Sequence, residues 1–233
     1  MMLNQNYMET YMERQVNKYR YERKFLIEKN KLSSFIGAIT SKGFFEIYNE
    51  RRVNNIYLDN ILSDSVYENI EGLSNRNKYR IRWYGGEFDL AEKILEIKIK
   101  NEFLNKKEKI NISKAKLDDF SEINNHVAYL KNNLSTNNKL FYLKIFNLHP
   151  SLLNSYSRRY FYCSFLNIRL TLDYNLKFYS PVTKAQYYEK KIIIEVKYDK
   201  DIKFINDFGD LQLSRYSKYV KGYLSTYFSS NVY

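Results

Sequence analysis

The sequence predicts an α+β protein dominated by antiparallel strands, and three features of its 233 residues carry that prediction. Short segments alternate apolar and polar residues with a period of two. Helical patterning interrupts them. Gly and Pro are scarce, 7 and 2, which leaves little room for long linkers or a Gly-rich phosphate loop. The alternating segments fall at 19–27, 53–59, 78–84, 93–100, 106–113, 158–165, 167–174 and 191–198. Helical patterning fills 29–41, 115–133, 138–147, 199–208 and 216–229. Gly85-Gly86, directly after Arg82-Trp83-Tyr84, marks a hairpin turn. Residues 1–18, polar and rich in Met, Asn and Tyr, read as an N-terminal arm or short helix, and 19–233 as one domain.

Bulk composition narrows the function classes. A hydrophobic content of 44% with 17% aromatic residues is that of a globular chain. The single cysteine, Cys163, excludes an internal disulfide framework and a Cys-type zinc site, and reads as a buried thiol. The two histidines, His126 in a polar helical segment and His149 before Pro150, read as surface or capping residues. A net charge of +12 points to an anionic partner: nucleic acid, a membrane surface or a phosphate compound. With no N-terminal apolar segment and no 18-residue apolar run, the expectation is a cytoplasmic chain without a membrane span.

What the strands alternate between is the informative feature. In order along the chain, Arg20, Glu22 and Lys24 oppose Tyr21, Arg23 and Phe25. Arg80 and Arg82 oppose Ile81 and Trp83, and Glu96, Lys98 and Lys100 oppose Leu95, Ile97 and Ile99. Lys107 and Lys109 oppose Ile110 and Ile112. Arg169, Thr171 and Asp173 oppose Ile168, Leu170 and Leu172, and Glu195 and Lys197 oppose Ile192, Ile194 and Val196. A Glu-x-Lys unit recurs at 22–24, 96–98 and 195–197, its two side chains on one face about 7 Å apart. If one sheet carries these strands and curls, the charged faces converge and the apolar faces meet helices outside. That inverts a small barrel, whose interior is ordinarily apolar. Such a lumen is costly unless a polyanion neutralises it. The competing reading is a solvent-facing sheet with Glu and Lys in cross-strand pairs. The 24 Tyr residues beside so many cations raise single-stranded nucleic acid as a partner, but their strand and helix positions favour packing instead.

The same residues resemble the VTC domain, a branch of the CYTH or triphosphate tunnel metalloenzyme superfamily. The resemblance rests on Tyr21-Glu22-Arg23-Lys24-Phe25, Ile56-Tyr57-Leu58-Asp59, Lys78-Tyr79-Arg80-Ile81-Arg82 and Leu95-Glu96-Ile97-Lys98. It continues through Tyr156-Ser157-Arg158, Arg169-Leu170-Thr171-Leu172-Asp173, Ile194-Glu195-Val196-Lys197 and Arg215-Tyr216-Ser217-Lys218-Tyr219. The resemblance implies an eight-stranded antiparallel β tunnel with flanking helices and a C-terminal helix. It implies phosphate-binding roles for Lys24, Arg80, Arg82, Lys98, Arg158, Arg169, Arg215 and Lys218, with Lys107, or alternatively Lys109, as a further lysine. Lys197 joins them from its strand face, and Ser217 from its place at the start of the last helix. Glu195 falls at the implied metal-binding position, with Glu96 and Glu22 as further carboxylates for Mn²⁺ or Mg²⁺.

The implied activity is ATP-dependent synthesis of inorganic polyphosphate, with a nucleoside triphosphate and polyphosphate, pyrophosphate or phosphate as partners. The superfamily signature is Glu-x-Glu-x-Lys, and Arg20 stands where its first carboxylate would be. That departure favours a polymerase over a hydrolase. The alternatives are a tripolyphosphatase or nucleoside triphosphatase on the same tunnel, and a non-catalytic polyphosphate-binding module.

Overall fold

The computed structural model describes residues 21–102, 104–199 and 211–228. Eight long strands form its sheet: β1 Tyr21–Ile27, β2 Phe45–Asp59, β3 Arg76–Tyr84, β4 Ala91–Asn101, β5 Leu104–Ala115, β6 His149–Cys163, β7 Ile168–Tyr179 and β9 Ile192–Tyr198. Two short strands, β8 Gln186–Glu189 and β10 Gln212–Leu213, join β7 and β1. The order is β10-β1-β9-β7-β6-β2-β3-β4-β5, and every pairing is antiparallel. The helices are α1 Leu32–Ser41, α2 Asp64–Glu71, α3 Ile123–Asn137, α4 Lys139–Ile145 and α5 Lys218–Tyr227.

Three apolar clusters follow from the alternation. Ile56, Leu58, Ile81, Trp83, Leu95 and Ile97 form the outer face of β2–β4 and meet Ile123, Val127, Leu130 and Leu134 of α3. Phe25, Leu170, Leu172, Ile194 and Val196 form the outer face of β1, β7 and β9 and meet Phe35 and Ile39 of α1. Each such side chain, fully buried, contributes about 1.5–3 kcal/mol, so outer-face packing fixes which way the charged residues point. The third cluster, Val53, Tyr57, Leu152, Tyr156, Phe178 and Ile193, lies on the inner face and is filled by Tyr219 and Tyr223 of α5. Here Gly222 has to be small: a Cβ on it would lie 2.6 Å from Leu152 and closer still to Phe178. Helix α5 therefore plugs one end of the curled sheet and leaves the charged stretch beyond it open.

Several elements depart from the sequence reading. Strand β6 begins at His149, nine residues before the expected segment, because residues 150–157 are buried on both faces and show no alternation. Strand β2 starts at Phe45 through a polar stretch with two register shifts before Arg51. Helix α2 went unread; it is short, and an αL Gly72 closes it. Helix α3 starts at Ile123, not 115, because β5 runs on to Ala115. The Gly85-Gly86 turn does join β3 to β4, with Gly85 at φ +103 and the Asp89 carboxylate accepting from the Gly86 N–H at 2.5 Å. Arg20, the arm and most of the expected helix at 199–208 lie outside the described residues. Among the described residues no helix is long and apolar enough to cross a membrane.

His126 is a correction: it is buried on α3, and burial followed by the nearby Lys93 charge pushes its imidazole down to about 4. Lys93 itself is wholly buried on the outer face of β4, its Nζ 4.1 Å from the Trp83 ring centroid. Lys93 Nζ, Ser113 Oγ and His126 Nε2 have no hydrogen-bond partner among the described residues. Burial lowers the Lys93 ammonium to about 8, opposed in part by Asp89. Its folded value lies below the unfolded value of 10.5, so the ammonium costs stability below pH 8 and the cost fades as pH rises from 8 to 10.5. Lys93→Met is expected to stabilise the protein by about 1–3 kcal/mol at pH 7 and by less at pH 10. Urea midpoints at the two pH values check this; an equal or lower midpoint at pH 7 contradicts it.

Candidate active site

Strand register places the predicted cations on one face. Across the sheet, Lys24 pairs with Glu195 and Glu22 with Lys197. Lys197 pairs with Arg169, and Asp173 with Arg158. Tyr57 pairs with Arg80, Arg80 with Glu96, and both Lys78 and Lys107 with Lys98. The two ends of this path face one another. Lys78 Nζ on β3 reaches Ser217 Oγ ahead of α5 at 3.2 Å, while the Ser214 N–H donates to the Lys24 carbonyl on β1 at 2.8 Å. Lys98 on β4 is within electrostatic reach of Glu22 on β1 and Glu195 and Lys197 on β9. The charged face is thus the lining of a curled sheet, and the solvent-facing reading does not hold: Glu96 is 2% exposed, Arg82 7% and Asp173 0%.

Two buried carboxylates anchor the cations. Glu96 accepts from Arg80 Nε at 2.7 Å and Nη2 at 2.5 Å, from Lys107 Nζ at 2.6 Å, and lies 3.8 Å from Arg82 Nη1. Burial alone would raise its pKa, but Arg80, Arg82 and Lys107 hold it far below the usual carboxylate range. Asp173 accepts from Arg158 Nε at 2.5 Å and Nη2 at 2.7 Å, and from Lys218 Nζ at 2.5 Å. Its carboxyl too is lowered, burial opposing and Arg158 and Lys218 prevailing. These fork-shaped contacts fix the guanidinium planes before any ligand arrives.

A third group lies toward β1 and β9. Lys197 Nζ is 2.6 Å from Glu195 and 3.7 Å from Glu22, and Lys24 Nζ is 3.2 Å from Glu22. Burial opposes ionisation of Glu195, yet Lys197, Arg158, Lys24 and Lys218 keep it well below its ordinary value.

The lysines show that positive charge is in excess. Burial, then repulsion from Lys24, Lys98, Arg76 and Arg80, pushes Lys78 down to about 7. Burial and Arg80 lower Lys98 to about 8, against the pull of Glu22 and Glu195. Burial lowers Lys107 to about 7, with Arg80 and Lys109 adding to it and Glu96 opposing. Cations that shed protons near neutral pH in an electropositive cleft form a site suited to an anion of several charges.

Most predicted residues meet here: Lys24, Arg80, Arg82, Lys98, Lys107, Arg158, Lys197 and Lys218. Arg169 lies on the same face and, with Lys197, lines a small recess beside Asn167 and Asp199. Ser217 caps α5, its Oγ accepting from the Val220 N–H at 3.5 Å. Arg215 stands exposed ahead of that helix. Lys78, Asn55 and Tyr156 were missed as site residues, although Lys78 alternates with Arg80 and could have been found. Arg82 Nε donates to Asn55 Oδ1 at 2.8 Å and Nη2 to Tyr156 Oη at 3.3 Å. Burial would raise the Tyr156 hydroxyl pKa, but Arg158, Arg82 and Lys218 bring it below its ordinary value.

For a divalent metal the donors divide. Among the described residues no group of three or more His, Cys, Asp or Glu side chains comes together. Glu96 does not fit, because Arg80 and Lys107 occupy its oxygens. Glu195 and Glu22 are the remaining carboxylates that would hold a hard cation, and Lys197 Nζ lies between them at 2.6 and 3.7 Å, where an ion would have to replace it.

The fold is shared with solved structures of low sequence identity. A candidate adenylate cyclase from Vibrio parahaemolyticus is similar at 12% identity and a TM-score of 0.50, over 90% of this chain and 99% of that one. A candidate adenylyl cyclase from Hippeastrum, with a dominant triphosphatase activity, is similar at 15% identity and a TM-score of 0.52, over 86% and 93%. No curated protein sequence matches the chain. The VTC domain family matches residues 19–227, a span that takes in every described strand and helix, and the chain belongs to that family.

Proposed function

We propose that this protein is an ATP-dependent polyphosphate polymerase, transferring the γ-phosphoryl group of a nucleoside triphosphate to a growing polyphosphate chain. The observation that carries the reading is the crowding of cations on one strand face: Lys78, Lys98 and Lys107 converge with Arg80, Arg82 and Arg158, and burial with that crowding depresses the three lysines to about 7, 8 and 7. A linear polyanion has the charge density and shape to relieve them. Membership of the VTC domain family supports the same substrate class.

Phosphoryl transfer needs positioning and charge neutralisation more than covalent chemistry by the protein. Arg82 and Arg158, held flat by Asn55 and Asp173, present fixed donors to equatorial oxygens as charge spreads over them. Lys218 and Lys78 add point charges near the start of α5, and Tyr156 supplies a hydroxyl beside Arg82. A divalent ion on Glu195 and Glu22 would supply Lewis-acid neutralisation of phosphate oxygens. A polyphosphate acceptor oxygen is already ionised at neutral pH, so no general base is required. The neutral buried His126, away on the outer face, fits that economy.

A second reading, hydrolysis of a triphosphate on the same lining, is favoured by the Hippeastrum neighbour with its triphosphatase activity. Incubation of the purified protein with ATP and Mn²⁺ separates them. A polyphosphate ladder on a gel supports the polymerase; orthophosphate without polymer supports the hydrolase and overturns it. Binding of polyphosphate with no turnover leaves a non-catalytic module.

A further inference from the structure

The end of the lining farthest from α5 differs in chemistry from the cation-rich stretch. Tyr84 ends β3 two residues beyond Arg82, paired with Val53. Tyr160 lies two residues beyond Arg158 on β6, paired with Thr171 and with Tyr48. A two-residue step keeps a side chain on the same face and moves it about 7 Å. Each ring therefore sits one step beyond an arginine on its own strand, and the Tyr84 and Tyr160 hydroxyls are within electrostatic reach of each other. The Tyr84 ring is 40% exposed, and Tyr160 and Tyr48 are half-buried, meeting edge to face at 5.6 Å and 90°. The exposed Arg51 holds its guanidinium 5.0 Å from the Tyr48 ring centroid. At the plugged end the contrast is plain: Tyr57 and Tyr219 are buried and stacked on each other at 4.5 Å, so their faces are spent on packing.

A bare polyphosphate has no use for aromatic surface next to its grip. A nucleotide does, because its base is a planar π-system one ribose away from the phosphates, and base–aromatic stacking contributes about 1–3 kcal/mol. We infer that Tyr160 and Tyr84, with Arg51, form a base-stacking platform at this mouth, which admits a nucleoside triphosphate base-outward and directs its phosphates toward Arg82, Arg158 and Lys218. The inference rests on the phosphate-gripping reading of the lining and deepens it by naming what distinguishes the nucleotide from an inorganic triphosphate. Platforms of this kind tolerate any base, since every base has a π-face, so purine nucleotides bind more tightly than pyrimidine ones only through larger stacking area.

The test compares equilibrium binding of ATP and inorganic tripolyphosphate by titration calorimetry in the wild type, Tyr160→Ala, Tyr84→Ala and Tyr160→Phe. The expected result for either alanine variant is an ATP Kd raised about tenfold with the tripolyphosphate Kd changed less than twofold. Tyr160→Phe keeps the ring and is expected to keep the wild-type ratio. Thermal melting of each variant checks that the sheet is intact. Equal weakening of both ligands, or an unmoved ATP Kd in both alanine variants, overturns the platform while leaving the phosphate lining standing. A wild type that binds neither ligand overturns both readings, and one that binds both without turnover removes the polymerase activity but not the platform.

Discussion

Replacing Arg82 with alanine is expected to lower kcat by about 10²–10⁴ while the protein still folds. Arg82 is 7% exposed, held by Asn55 and Tyr156 on one side and lying 3.8 Å from Glu96 on the other. Its fork is oriented before the ligand arrives, so removal takes away transition-state donors that water cannot replace equally well. The structural cost is smaller: Asn55 Oδ1 loses a donor, worth about 1–3 kcal/mol, and a repulsive cation leaves an electropositive cleft. Arg82→Lys keeps the charge without the fork and should fall between the two. Steady-state kinetics with a thermal melt distinguish the outcomes. Unchanged turnover in the alanine variant would remove Arg82 from the reaction.

Asp173→Ala is expected to have the largest effect on stability of any single change in the lining. The carboxylate is fully buried and accepts from both Arg158 and Lys218, so its loss leaves two cations facing each other without compensation. Breaking a buried pair from one side costs about 3–5 kcal/mol. Activity should collapse with it, because Arg158 and Lys218 lose the contacts that aim them. Added tripolyphosphate is expected to restore much of the lost melting temperature by supplying the missing negative charge. The wild type carries the corresponding pH signature. Asp173 is lowered from 3.8, so its stabilisation is present above about pH 4 and lost as pH falls through its folded value. An Asp173→Ala melt within a few degrees of wild type would show that the pair contributes little.

Which parts of this were legible in the sequence depended on whether a strand has one buried face or two. Strands β3 and β4 meet α3 on one face and the lumen on the other, so Arg80, Arg82, Glu96 and Lys98 alternate cleanly with Ile81, Trp83, Leu95 and Ile97. The first half of β6 is buried on both faces, and its Leu152, Leu153, Asn154 and Ser155 carry no period at all. Helix α5 and its Ser217 cap were readable from local chemistry, whereas Gly222 shows its purpose only against Phe178 and Leu152 from distant strands. Glu96 illustrates the limit of assigning roles along one strand. Its position suggested a metal ligand, but its partners come from β3 and β5 and occupy it with Arg80 and Lys107. Depressed lysines are likewise invisible in a sequence, since Lys78 is lowered by burial and by Lys24 and Lys98 from other strands.

The central claim, a lining with unrelieved positive charge built for a polyanion, has a direct readout in protons. Lys78 and Lys107 near 7 and Lys98 near 8 are partly neutral at pH 8 in the free protein. A polyanion among them raises all three, so binding must draw protons from the buffer. Titration calorimetry with tripolyphosphate at pH 8, in buffers of different ionisation enthalpy, measures that uptake. The predicted result, once the protons that the tripolyphosphate itself loses are subtracted, is net proton uptake by the protein at pH 8 that falls toward zero at pH 6, where the lysines are already charged. Binding in which the protein takes up no protons at pH 8 would contradict it.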